Sequence, residues 1–226
     1  MRALAVLVAM AVVSGCTAPG PPPVPPTTGV TPAATDRETA LGQRAAHTAT
    51  PLLDGSVLVA GGCDVDGCST ATASVFQLTS GGARPMSRLN QPRDGHTATR
   101  LADGRVVVIG GWAAEGQGAL AGVEVFDPAD GTWRPTGSLN TARGGHAAAA
   151  LGDGRVLVVG GRVGRGIVTA RTEIFDPVAA TFGRGPDLPT APDGAVAGEL
   201  PDGRVLVAGG PAGPGGCIGS GDGHWR

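Results

Sequence analysis

The stretch Arg93–Gly111 reads RDGHTATRLADGRVVVIGG, and a near copy, RGGHAAAALGDGRVLVVGG, fills Arg143–Gly161. A third version, RAAHTATPLLDGSVLVAGG, fills Arg44–Gly62, and a worn fourth, PDGAVAGELPDGRVLVAGG, fills Pro192–Gly210. The glycine pair begins at Gly61, Gly110, Gly160 and Gly209, in steps of 49, 50 and 49 residues. A unit recurring at that interval is one supersecondary module that buries its apolar face only by stacking on its neighbours.

Each unit runs through the same physical events. A short run such as His96–Leu101 suits a strand, and Asp-Gly follows it at 54/55, 103/104, 153/154 and 202/203. Asp-Gly tolerates positive φ at both turn positions, so a two-residue hairpin is expected there. The next strand, Val106–Ile109 in the second unit, is apolar on both faces and belongs inside a stack of sheets. The glycine pair stops it. A variable loop then leads to a third strand around Phe76, Phe126 or Phe175, and in two units Asp-Pro opens a turn before a fourth strand that starts at Trp133 or Phe182. Four antiparallel strands in a unit of about 50 residues is the pattern of a propeller blade. The 40 glycines and 19 prolines fit short strands and frequent turns, and helical periodicity is nowhere sustained.

The double glycine after an apolar strand, the third-strand aromatic and the Trp133 position resemble kelch repeats. The "GHTAT", "DGRVLVVGG" and "FDP" variant is similar to kelch modules of bacterial secreted proteins. The resemblance implies an all-β, kelch-type β-propeller of about four blades over residues 36–226, with repeats near 44–90, 91–140, 141–189 and 190–226. Kelch propellers commonly serve as binding platforms, with a minority acting as enzymes. The fourth unit has Pro192 and Ala195 where the others have Arg and His. Trp225 falls sixteen residues after Gly209, as Phe126 does after Gly110, so the last blade is expected to be incomplete. The segment TDRETALGQRAAH can be laid on WRPTGSLNTARGGH, with Leu41 near the place of Leu139, and so can supply the missing strand. Closure of that kind removes two exposed sheet edges. An incomplete ring, or one finished by a second chain, is the rival.

Ahead of the repeats, MRALAVLVAMAVVSGC has one Arg, an apolar stretch from Ala3 to Val13, and a small-residue end. That stretch is too short to span a bilayer and has the layout of a secretory signal. Val13-Ser14-Gly15-Cys16 resembles the bacterial lipoprotein processing box, which implies a signal peptide over 1–15, a lipidated Cys16 and anchorage to the cell membrane on its extracytoplasmic side. Residues 16–35 then form a tether, since seven prolines between Thr17 and Thr35 favour an extended chain with nothing to bury.

Candidate chemistry is sparse. Arg44, Arg93 and Arg143, each followed three residues later by His47, His96 or His146, would gather at similar radii. Three imidazoles can hold a metal. Residues repeated in every blade more often fix that blade's own turn, so no metal site and no cofactor is expected. Asp64 and Asp66 have calcium-like spacing in a loop too short for an oxygen cage. In an oxidising compartment Cys63 and Cys68 are expected to form a local disulfide, with Cys63–Cys217 as the alternative pairing. Galactose-oxidase-like copper chemistry needs tyrosines, and the chain has none. A sugar mutarotase or epimerase would draw its acid or base from Glu115, Glu124 or Glu173, of which the last two occupy equivalent repeat positions.

A net charge of −2 offers no electrostatic reason to bind nucleic acid. The expected function is therefore a membrane-anchored, non-catalytic scaffold that binds a protein or glycan of the cell envelope through variable blade loops. A small sugar-modifying enzyme of the envelope and a degenerate structural remnant are the alternatives.

Overall fold

The computed structural model describes residues 45–63, 70, 72–76, 83–113, 118–164 and 167–209. Cys16, Leu41, Arg44, Asp64, Asp66, Cys68, Glu115, Cys217 and Trp225 lie outside them, as do the signal, the tether and the segments invoked for closure.

The described chain is all β. The first blade holds β1 (Thr48–Pro51), β2 (Val57–Ala60), β3 (Ala73–Phe76) and β4 (Ala83–Pro85). The second holds β5 (Thr97–Arg100), β6 (Val106–Ile109), β7 (Gly122–Asp127) and β8 (Thr132–Ser138). The third holds β9 (Ala147–Ala150), β10 (Val156–Val159), β11 (Thr172–Asp176) and β12 (Thr181–Arg184), and the fourth contributes β13 (Val196–Glu199) and β14 (Val205–Ala208). In each complete blade the four strands pair in sequence order, antiparallel throughout. Register repeats too, with Val57 opposite Phe76, Val106 opposite Phe126 and Val156 opposite Phe175.

The Asp-Gly turns depart from expectation. Leu101 N–H donates to Arg105 O at 2.8 Å and Gly104 N–H to Leu101 O at 3.0 Å, so the loop has three residues and only its glycine is left-handed, at φ +90°. This is a turn followed by a glycine bulge, not a two-residue hairpin. The aspartate decides it: Asp103 Oδ1 accepts the Arg105 N–H two residues on, at 3.0 Å, and Asp54, Asp153 and Asp202 do the same for Ser56, Arg155 and Arg204.

Strands apolar on both faces are explained by the stacking. Val106 and Val108 of β6 pack with Leu52, Leu58 and Ala60 of the first blade and with Phe126 and Trp133 of their own. Val107 and Ile109, one residue out of phase, face the third blade and pack with Val156, Val158 and Phe175. All four are fully buried. A further cluster joins Ala147, Ala149, Leu157 and Val159 of the third blade to Val205 and Val207 of the fourth. Among the described residues the core is thus three layers, each between two blades. Aromatic pairs fill the outer part of the two central blades, Phe126 with Trp133 at 5.0 Å between ring centroids and Phe175 with Phe182 at 4.9 Å.

Candidate functional site

Because neighbouring strands alternate in direction, the Asp-Gly turns and the turns after β7 and β11 share one face of the blades. The opposite face carries the variable loops after each glycine pair and the connections between blades. The repeated Arg and His both sit at the end of those connections, just before β5 in the second blade and β9 in the third, so the sequence places them on this face.

The arginines are buried. Arg93 Nη1 donates to Gly110 O at 2.8 Å and Gly122 O at 2.9 Å, and its Nη2 pairs with Glu124 Oε1 at 2.8 Å. Arg143 repeats the pattern on Gly160 O at 2.9 Å, Arg171 O at 2.7 Å and Glu173 Oε1 at 2.8 Å. Each glutamate accepts more: Glu124 takes the backbone N–H of Asn90 at 2.7 Å and of Gln91 at 3.1 Å, and Glu173 takes those of Asn140 at 2.7 Å and Thr141 at 3.2 Å. Burial lowers the pKa of both arginines, and the facing glutamate works against that shift. The guanidinium ties the carbonyls at the end of the second strand and the start of the third to the connection entering the same blade. Glu124 and Glu173 are fully engaged in holding that connection.

The histidines link blades. His96 Nε2 lies 2.9 Å from Thr48 Oγ1 of the first blade, and His146 Nε2 lies 2.9 Å from Thr97 Oγ1 of the second. Both rings are buried, and burial, with the nearby arginine charge adding to it, depresses their pKa values to about 3. They are neutral at physiological pH. His47 is exposed instead. Among the described residues no cluster of His, Cys, Asp and Glu is arranged to hold a metal ion.

The fourth blade shows why the worn repeat still packs. Where the first two blades offer Thr48 and Thr97, the third offers Ala147, and the fourth has lost the histidine that would need a hydroxyl, Ala195 standing in its place. The Pro192 ring lies over Gly160, the position that the His96 and His146 rings take over Gly61 and Gly110. A polar link has been replaced on both sides by an apolar one, and Ala195 and Ala197 pack against the layer formed with the third blade. The threonines were legible only as the residue after each His, present in two repeats and absent from two.

Unequal residues occupy equivalent positions on the same face. The residue after each glycine pair is Cys63, Trp112 or Arg162, and each bridges to the entry of its own blade, at Ala45, Asp94 and Gly144. Cys63 is disulfide-bonded to a cysteine outside the described residues. The half-buried Trp112 indole reaches across to Gly95 and Gly144, and a Cβ on Gly144 would collide with it. Arg162 Nε reaches into the fourth blade, pairing with Asp193 Oδ2 at 2.9 Å. On the third blade Asn140, Thr141, Arg143, Arg171, Glu173 and Phe182 are among the residues lining a cavity of about 340 Å³. The sequence marks that cavity at positions where two blades differ, Gly122 against Arg171 and Pro135 against Arg184.

A kelch motif model matches residues 95–140, the entry and all four strands of the second blade. Among solved structures 221 chains match, so the architecture is widely shared and does not by itself select a function. One of them, YjhT, has a TM-score of 0.64 and 18% sequence identity over 74% of this chain and 59% of its own. The chain therefore spans about 59% of the length of YjhT, and at that identity the likeness shows a fold of kelch-type propeller blades. No curated protein matches the sequence.

Proposed function

We propose that this protein is a binding scaffold of the cell envelope, lipid-anchored through Cys16, whose specificity lies in the unequal residues its blades present on the loop face. One observation carries the reading: the repeated Arg, His and Glu of the second and third blades are occupied in holding their own blade or its neighbour, while the residues free to differ stand at matched positions on one face. Catalysis needs groups with different jobs around one reacting atom. The two equivalent glutamates, Glu124 and Glu173, are each bound by an arginine and by backbone N–H groups and have no capacity left for that work. Rigid blades with changeable loops suit recognition of an envelope protein or glycan.

The test exchanges the loop 112–121 for its counterpart 162–170 in the intact chain and compares crosslinked envelope partners. The expected result is a changed set of partners with the β fold intact by circular dichroism. Robust sugar mutarotation by the purified protein, abolished by Glu115→Gln, would overturn the reading in favour of an envelope enzyme.

A further inference from the structure

We propose that the cavity on the third blade is a binding site for a small organic carboxylate with an apolar body, received by Arg171 and Thr141 over the face of Phe182. The inference rests on the binding reading above and assigns it a ligand class at one place. The cavity, of about 340 Å³, is at the small end of ligand pockets.

Most of its polar groups are already satisfied. Glu173 accepts from Arg143, from both nitrogens of Asn140 and from the Thr141 N–H. Arg143 donates to Thr141 O, Gly160 O, Arg171 O and Glu173. The Thr172 hydroxyl donates to Pro186 O at 2.7 Å, and Arg184 pairs with Asp187 at 2.6 Å on the surface. Two groups are left: the exposed Arg171 guanidinium and the Thr141 hydroxyl make no hydrogen bond among the described residues. The three guanidiniums of Arg143, Arg171 and Arg184 stand against the two carboxylates of Glu173 and Asp187, leaving one positive charge. Arg171 is close enough for its charge to disfavour that of Arg143, so a bound anion relieves a repulsion already in the fold. Phe182, packed by one side on Phe175 and only partly buried, supplies an apolar wall beside these donors.

The second blade serves as an internal control. Its residue equivalent to Arg171 is Gly122, its equivalent to Arg184 is Pro135, and its equivalent to Thr141 is Gln91. The Gln91 Oε1 sits 2.5 Å from where a Cβ on Gly122 would lie, so its amide fills the corresponding space. The same scaffold is closed and uncharged in one blade and open and cationic in the next. A forked guanidinium beside a hydroxyl matches a carboxylate, and the single surplus charge matches a monoanion.

The test is titration of the purified, ¹⁵N-labelled full chain with benzoate and with benzamide, its neutral near-isostere, read by NMR at the arginine Nε–Hε groups. Benzoate is expected to bind saturably with millimolar or tighter affinity and to shift the Arg171 signal, while benzamide binds at least tenfold more weakly. Arg171→Gln should weaken benzoate at least tenfold at an unchanged melting temperature, and Arg155→Gln, on the opposite face, should leave it unchanged. Absence of saturable benzoate binding, equal binding of benzamide, or full binding by Arg171→Gln each overturns the proposal. The loop 112–121 is hydrogen-bonded to the cavity lining through the Leu120 carbonyl, which accepts the Arg143 N–H, but its exchange replaces neither Arg171 nor Thr141, so failure here leaves that result standing, and its failure leaves this one.

Discussion

Lowering the pH from 7 to 5 should destabilise this protein through two side chains, His96 and His146. Both are depressed from the ordinary histidine value to about 3 by burial. In the unfolded chain they titrate near 6.5. A base whose folded pKa is lowered contributes its full stability above the unfolded value and loses it as pH falls toward the folded one, because only the unfolded chain takes up the proton. At pH 5 the difference is about 2 kcal/mol for each ring and about 4 kcal/mol for both. The aspartates with lowered pKa, such as Asp103 and Asp153, lose their contribution only below about pH 4, so pH 5–7 isolates the histidines. Urea denaturation at half-unit pH steps gives the slope. His96→Gln keeps an amide nitrogen in reach of Thr48 and cannot be protonated. It should lower stability at pH 7 but remove about half of the acid dependence. Stability that is flat between pH 7 and 5, or an undiminished slope in His96→Gln, would show that the rings are not held neutral in the fold.

Arg93→Ala should cost roughly 3–5 kcal/mol, because it leaves Glu124 buried without its cation; a loss below about 1 kcal/mol in urea unfolding would contradict a structural role. Gly110→Ala and Gly154→Ala both place a side chain at positive φ, but a Cβ on Gly110 meets Arg143 O at 2.5 Å whereas one on Gly154 meets open space. Thermal unfolding should show about 1 kcal/mol of backbone strain for Gly154→Ala and a loss several times larger for Gly110→Ala. Equal losses would remove the close approach as the reason for that glycine. Cys16→Ala should release the protein from the membrane fraction, and the intact mass of the parent should lack residues 1–15 and carry acyl chains; membrane retention of the variant would refute the lipid anchor.

Local chemistry written in the chain determined the blades: the 49- and 50-residue period, the apolar strand ended by two glycines, and the aromatic partners Phe126 with Trp133 and Phe175 with Phe182. These are legible because a strand's periodicity and a turn's residues act within a few positions of each other. The type of the Asp-Gly turn departs from the expected hairpin because the Asp103 carboxylate accepts the Arg105 N–H, which outweighs the backbone preference of Asp-Gly. Repetition points to a role for Arg93 and His96 inside their own blade, which fits Arg93, whereas His96 reaches Thr48 of the neighbouring blade. Glu124 lies 31 residues from its arginine, and Thr48 lies 48 from its histidine, in another blade. Pairing within one blade brings Arg93 to Glu124 and stacking brings His96 to Thr48, and only stacking shows that Ala147, Pro192 and Ala195 replace one polar link by an apolar contact. The cavity at Arg171 belongs to the same class. It exists because three segments of one blade converge where a neighbouring blade is filled by Gln91, and no single segment carries that difference.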